Sequence, residues 1–280
     1  MLSITAFCSL IKQKLAQAGI NSSQAEAEQI ISHFLKIDRF EIYLKADLVI
    51  SSSLQNEILK LVEKRCTHYP LQYLLGYVEF YNSLLKVTPD VLIPRPETEL
   101  LVDIILKENS QNELNVLDIG TGSGAIAISL KKARPLWQIT ATDISEPALN
   151  IARMNANENN CLITFVNSDI FSHVEGKFDL IISNPPYISA QDYQALAPEL
   201  FYEPANALLV PENGLYFYKK ILNNAKSYLN SPAMIYFEIG ADQSSEITNF
   251  AQKNLSAKIS LQRDYNNFPR FLTIFFPVLR

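Results

Sequence analysis

The chain has 280 residues, 48% hydrophobic and 19% charged, with a net charge of −5. That is enough apolar material for one large core or two smaller ones, and no apolar run approaches the ~20 residues that cross a bilayer; the longest, 271–279, reads as a strand. The acidic balance, with adjacent basic residues limited to Lys64-Arg65, Lys131-Lys132 and Lys219-Lys220, argues against stable binding of long nucleic acid through its phosphates. Cys8, Cys66 and Cys161 lie far apart and fit no metal-ligand spacing, and the first seven residues lack the basic segment of a secretory signal. The expectation is a cytoplasmic monomer that engages neither a membrane nor a metal.

Residues 1–75 read as helical. Phe7, Leu10, Ile11 and Leu15 recur at helical spacing, and the run ends near Gly19. Ser23 with Glu26 has capping-box spacing for a second helix carrying Ile30, Ile31, Phe34 and Leu35. Ser52 with Gln55 repeats the pattern for a third, carrying Leu54, Ile58, Leu61 and Val62. Such stripes are first of all bundle packing. Over 76–93 the period changes, and segments 77–81 and 84–88 around Asn82-Ser83 predict a hairpin. Pro94 and Pro96 then bracket Arg95, and Glu97, Thr98 and Glu99 open a helix with acids well placed at its N-terminus. The alternative for this stretch is a rigid wall carrying Arg95 and Glu97 into a site.

From residue 114 strands alternate with helices, so 94–280 reads as an α/β domain with a largely parallel sheet. The predicted strands are 115–119, 138–143, 162–166, 178–183 and 233–238, with 257–261 and 271–275 as a final antiparallel pair. Between the first strand and its helix lies the turn Gly120-Thr121-Gly122-Ser123-Gly124. Such a turn brings backbone close to a ligand and aims helix N–H groups at it, and Asp143, ending the second strand, suits two ribose hydroxyls. This much indicates an adenosine-like cofactor; Gly120-x-Gly122-x-x-Ala125 equally satisfies a relaxed dinucleotide fingerprint.

The fourth strand discriminates. It ends in Asn184-Pro185-Pro186-Tyr187, a loop stiffened by two prolines that carry no N–H. The Asn184 side-chain oxygen and the Pro185 carbonyl are acceptors beside an aromatic ring, which suits a planar group bearing NH2. Loops after the first and fourth strands flank the ligand crevice of an open α/β sheet. A hydride enzyme has no obvious use for an NH2 clamp there; a methyl donor does. S-adenosylmethionine offers a ribose to Asp143, an amino-acid tail to the glycine loop, an ammonium to Asp118 through water, and an adenine edge to Asp169 or the Ile170 backbone. His33, His68 and His173 show no base role.

Leu117-Asp-Ile-Gly-Thr-Gly-Ser-Gly124, Thr142-Asp143, Ser168-Asp169 and Ser183-Asn-Pro-Pro-Tyr187 occur in the order found in class I (Rossmann-like) methyltransferases acting on planar NH2 groups. Gly76-x-x-Glu79-Phe80, Ile93-Pro-Arg-Pro-Glu-Thr-Glu99, Tyr202-Glu-Pro204, Gly214-Leu-Tyr-Phe-Tyr218 and Glu238-x-Gly240-x-x-Gln243 narrow the resemblance to the HemK-type release factor glutamine N5-methyltransferases. One stretch, Asp264-Tyr-Asn-Asn-Phe-Pro-Arg270, lacks the glycine expected there. The resemblance implies that the substrate is the glutamine of the Gly-Gly-Gln tripeptide of peptide chain release factors, bound by residues 184–187. It implies a cofactor site of Gly120 to Gly124, Asp143 and Asn184, and a helical domain, 1–75, that helps dock the release factor. Two alternatives use the same clamp: a nucleic-acid adenine-N6 or cytosine-N4 methyltransferase, and a glutamine methyltransferase acting on a ribosomal protein.

Overall fold

The structure is a computed structural model and describes residues 1–278. Two compact units result: Met1–Gly76 with Ala197–Tyr202, and Tyr77–Leu196 with Glu203 onward. The first differs from the sequence boundary by taking in 197–202.

The helical unit contains α1 (Ile4–Gln17), α2 (Ser23–Leu35), α3 (Glu41–Leu44), α4 (Ser52–Arg65) and α5 (Leu71–Leu75). Phe7, Ile11, Leu15, Ile30, Ile31, Ile58 and Val62 are buried, as their periodicity predicts. Both predicted caps lie one residue earlier than expected. Ser22, not Ser23, precedes α2, and its hydroxyl donates to Glu26 at 2.7 Å. Ser51, not Ser52, accepts the Leu54 N–H, while the Gln55 amide donates to the Ile50 carbonyl at 2.9 Å. Adjacent serines offer the same hydroxyl in either register, and only the helix path chooses between them. Helices α3 and α5 are too short to show a period. Arg65, its side chain 6% exposed, donates to Glu26 at 2.7 Å and to Glu199 at 3.2 Å. His68 Nδ1 also meets Glu199 at 3.1 Å, and the Tyr69 and Tyr202 rings meet edge to face. Those contacts hold the 197–202 strap to the helices.

The second unit opens with strands β1 (Tyr77–Phe80) and β2 (Ser83–Lys86). Phe80 pairs with Ser83, so the turn is Tyr81-Asn82, one residue earlier than predicted; both have positive φ, as a two-residue hairpin turn requires. Helix α6 (Pro96–Glu108) follows, with proline at its first position. Then come β3 (Asn115–Ile119), α7 (Ala125–Ala133), β4 (Gln138–Asp143), α8 (Glu146–Glu158), β5 (Thr164–Asn167) and β6 (Phe178–Ser183). The unit closes with α9 (Ala190–Tyr193), α10 (Tyr216–Ala225), β7 (Leu229–Glu238), α11 (Ser244–Asn254), β8 (Lys258–Arg263) and β9 (Pro269–Phe276). Strand β5 starts two residues later than predicted, because Leu162 is exposed, and β7 starts four residues earlier than the predicted 233. Of the predicted terminal apolar run, Leu279 lies outside the described residues.

Among the described residues the main sheet has seven strands, ordered β5-β4-β3-β6-β7-β9-β8. It is parallel from β5 through β7, and β9 is antiparallel to both its neighbours. Both faces are covered. Val116, Leu180 and Ile182 pack with Leu101, Val102 and Ile105 of α6 on one face; Leu117, Ile181 and Ile235 pack with Ile221 and Leu222 of α10 on the other. Each such fully buried aliphatic side chain contributes roughly 1.5–3 kcal/mol. From β3 the chain winds outward to β5 and returns on the other side of β3 as β6. The switch point therefore lies between the carboxyl ends of β3 and β6. There the Ser183 hydroxyl, fully buried, donates to the Ile119 carbonyl at 2.8 Å.

Asn155 of α8, also fully buried, locks the hairpin to the glycine loop. Its side chain exchanges two hydrogen bonds with the Lys86 backbone and donates a third to the Ser123 carbonyl at 2.8 Å. In the loop lacking the expected glycine, Asn267 adopts the left-handed conformation instead, with φ 65°. Asp264 accepts the Asn266 and Phe268 N–H groups and the Arg270 guanidinium, so the loop closes without a glycine.

Candidate active site

An open cleft with about 840 Å³ of empty space, its solvent-facing mouth included, lies over the switch point. Gly120, Gly122, Asp143, Asp169, Ile170, Asn184, Pro185 and Pro186, all singled out in the sequence, line it. Asp118, Thr121, Ser123, Gly124 and Tyr187 do not.

The glycine loop is pinned at both ends. Gly120 and Thr121 N–H groups donate to the Thr142 carbonyl, and Gly124 donates back to Thr121. Gly120, Gly122 and Gly124 all have positive φ. At Gly120 and Gly122 no protein atom lies within 4 Å of where a Cβ would stand, so the backbone there borders open space. At Gly124 a Cβ would press on Ile128 and Ala152, so this glycine serves the packing of α7 on α8.

Two carboxylates support the loop. Asp143 Oδ2 accepts the Gly122 N–H and Oδ1 the Ser145 N–H, each at 2.9 Å. These two bonds leave lone pairs on both oxygens. Burial pushes its carboxyl above the usual carboxylate range. Asp118, 1% exposed, accepts the Thr121 hydroxyl at 2.7 Å on Oδ2. Its Oδ1 is buried with no partner among the described residues. Burial, reinforced by the Asp143 charge and opposed by the Thr121 hydroxyl and the Ala127 backbone N–H, pushes this carboxyl up to about 7. Asp169 already shares one oxygen with Lys220 at 2.7 Å.

On the facing loop, Pro185 is buried and Asn184 half-buried. The Asn184 side-chain NH2 donates to the Thr98 hydroxyl oxygen at 3.3 Å, which leaves Oδ1 free to accept. Tyr187 departs from expectation. Its ring is packed against the core beside Gly240, and the Gln243 amide holds its carbonyl at 2.9 Å. The aromatic side chain that does line the cleft is Phe217 of α10.

Sequence reasoning missed Phe217, Asn206 and the 90–92 turn as lining residues. Phe217 sits inside a quoted motif, yet nothing in its spacing says which of the neighbouring aromatics faces the cleft. Arg95 and Glu97 do not line it. Arg95 instead donates to Glu203 at 2.7 Å, and the other Glu203 oxygen accepts the Ile93 N–H. That clasp sets the strand-like approach to α6 directly before Pro204, which lines the cleft.

Residues 96–232 match the Methyltransferase small domain family, and residues 9–76 the PrmC N-terminal domain family. The release factor glutamine methyltransferase of Streptococcus pneumoniae is 47% identical over 197 residues, covering 70% of this chain and 71% of its own length. That of Coxiella burnetii is 36% identical over 277 residues, covering 97% and 98%.

The chain belongs to the release factor glutamine methyltransferase family.

This family member shares its sheet with solved structures of other methyltransferases. One from Pyrococcus furiosus superposes with TM-score 0.53 at 23% identity, covering 69% of this chain and 89% of that one. The human Mettl16 catalytic domain, solved with an RNA hairpin, gives 0.56 at 16%, covering 70% and 77%. These likenesses concern the fold. Among the described residues no group of His, Cys, Asp and Glu could hold a metal, and no helix is long and apolar enough to cross a membrane.

Proposed function

We propose that this methyltransferase uses S-adenosylmethionine to methylate the side-chain amide nitrogen, N5, of the glutamine in the Gly-Gly-Gln tripeptide of a peptide chain release factor. The observation that carries the reading is Asn184, which lines the same cleft as the glycine loop and Asp143 and is held by its NH2 end, so that Oδ1 is left free to accept.

The residues fit the cofactor. Asp143 has carboxylate lone pairs for a ribose diol, and the open space beside Gly120 and Gly122 admits an amino-acid tail; Asp118, buried and off the cleft, would act on the ammonium only indirectly. Bound there, S-adenosylmethionine supplies an electrophilic methyl group on a sulfonium.

A glutamine amide nitrogen is a weak nucleophile, because its lone pair is delocalised into the carbonyl. Asn184 Oδ1 and the Pro185 carbonyl accept its two N–H bonds and aim the nitrogen along the line of transfer. Both acceptors also stabilise positive charge as it develops on nitrogen. Orientation supplies the rest, the reacting atoms being held at about 3–3.5 Å. The proton becomes acidic once nitrogen carries the methyl group, so no dedicated base is needed at the clamp. Pro185 is rigid and buried, which keeps its carbonyl from turning away. Phe217 gives the apolar wall for the amide plane, in place of Tyr187. The helical unit takes the role of docking the release factor.

Incubation with methyl-labelled S-adenosylmethionine and, separately, a release factor, ribosomal proteins and DNA tests this. Label in the release factor, lost when its Gly-Gly-Gln glutamine is replaced, supports the reading; label confined to DNA or ribosomal protein overturns it.

A further inference from the structure

Asn184 is the end of a hydrogen-bond chain that begins on a different strand. Glu238, the last residue of β7, is 2% exposed, and Thr98, in the first turn of α6, is 4% exposed. The Thr98 hydroxyl donates to Glu238 Oε2 at 2.7 Å, and its oxygen accepts from Asn184 Nδ2 at 3.3 Å. The clamp loop, a helix start and a sheet strand thus meet at one hydroxyl.

We propose that Glu238 and Thr98 are positioning residues for methyl transfer, fixing which end of the Asn184 amide faces the cleft. The inference rests on the reading of Asn184 as the acceptor that holds the substrate NH2. An ionised carboxylate accepts only, so Thr98 must commit its single proton to Glu238. What remains on the threonine oxygen is lone pairs, and only the NH2 end of Asn184 can donate to them. The amide oxygen is thereby turned to the substrate. With the amide reversed, two NH2 groups would face each other and the clamp would repel its substrate.

The polarity of the chain depends on the charge of Glu238. Arg270 of β9 and Arg95 before α6 favour the carboxylate, and Glu97 of α6 opposes it. Arg270 is shared with Asp264, and Arg95 with Glu203. The Tyr218 hydroxyl donates to the Glu238 backbone carbonyl at 2.9 Å, and the Tyr187 phenol lies within the same field. Burial outweighs these and pushes the carboxyl up to about 7. Once protonated, Glu238 can donate to Thr98, whose proton then turns to Asn184 and draws the amide oxygen inward. The acceptor is lost as pH falls through this range.

Two measurements test the relay in the full chain. In the first, the side-chain NH2 signals of Asn184 are followed by 15N–1H NMR against pH, assigned by their loss in Asn184→Asp. They shift with a midpoint near the Glu238 titration in the wild type and stay flat in Glu238→Gln; a flat wild-type signal overturns the proposal. In the second, kcat is followed against pH with whichever acceptor takes the label. Thr98→Val lowers kcat at pH 8 by about tenfold or more with S-adenosylmethionine affinity unchanged, and Thr98→Ser restores most of the rate. Glu238→Gln loses the acidic limb of the profile. Wild-type kcat in Thr98→Val, or an unchanged limb in Glu238→Gln, overturns it. If Thr98→Val does not fold, the wild-type NMR titration decides. Absence of label in any release factor sinks the substrate assignment and leaves the NMR result standing on its own.

Discussion

The Gly122 N–H donates to Asp143 Oδ2 at 2.9 Å, so the acid that ends β4 is fastened to the glycine loop that ends β3. Asp143 has two tasks at once: it presents oxygens to the cleft and it holds the loop in shape. Asp143→Ala removes both. Loss of charge-assisted bonds to a ribose diol, each worth about 1.5–3 kcal/mol, weakens S-adenosylmethionine binding on the order of 10²-fold, measured by titration calorimetry. Unchanged affinity would remove Asp143 from the cofactor site.

Asn184→Ala separates binding from chemistry. With the amide oxygen in its proposed role of stabilising charge on the acceptor nitrogen, kcat is expected to fall by roughly 10²-fold or more while cofactor affinity stays near wild type. Single-turnover rates beside equilibrium binding check it, and near-normal turnover rejects the clamp.

Asp118 sets a pH dependence. Its carboxyl is pushed up to about 7 in the folded chain, against an ordinary value of 3.8. The folded state therefore holds a proton that the unfolded state releases between these values, and stability falls as pH rises from about 4 to 7. Asp118→Asn removes this slope, which appears as a flatter melting temperature against pH. If the ionised form meets the cofactor ammonium, binding tightens as pH rises through about 7 and releases a proton, and calorimetry in buffers of different ionisation enthalpy detects it. Proton release near zero in the wild type would detach Asp118 from the cofactor.

Gly214 has φ 85°, and a Cβ there would drive into the Tyr187 carbonyl and the Gln243 amide. Gly214→Ala is expected to cost about 1–3 kcal/mol of stability and to lower kcat, because the collision pushes on the segment that follows Asn184. Denaturant melts and steady-state rates measure the two effects, and a variant as stable as wild type contradicts the close approach.

Much of the sheet is legible in the sequence because its strands are short apolar runs that end in chemistry. The segments 115–119, 138–143 and 178–183 coincide with β3, β4 and β6, since each is bounded by a residue that cannot extend it: Gly120, the turn after Asp143, and the Asn184-Pro185 pair. The edge strand β5 was less legible, because Leu162 is apolar yet exposed. Caps at Ser22 and Ser51 and the Tyr81-Asn82 turn differ by one residue from expectation, where neighbouring residues of similar chemistry leave the register open.

The cleft residues divide in the same way. Those carried by a local motif, such as Gly120, Asp143 and Asn184, could be named from the chain, because backbone constraint and side-chain chemistry act within a few residues. Tyr187 could not be placed: whether its ring faces the ligand or the core depends on Gln243 and Gly240, more than 50 residues on.

By itself, then, the sequence determined the alternation of elements, the glycine turn, the acid that ends the second strand, and the stiff acceptor loop, all consequences of local dihedral limits and periodicity. Tertiary structure alone decided that Asp118 keeps an orphaned oxygen and that Phe217 faces the cleft in place of Tyr187. It alone joined Glu238 through Thr98 to Asn184. Burial and hydrogen-bond polarity belong to neighbours in space, and no local reading of the chain contains them.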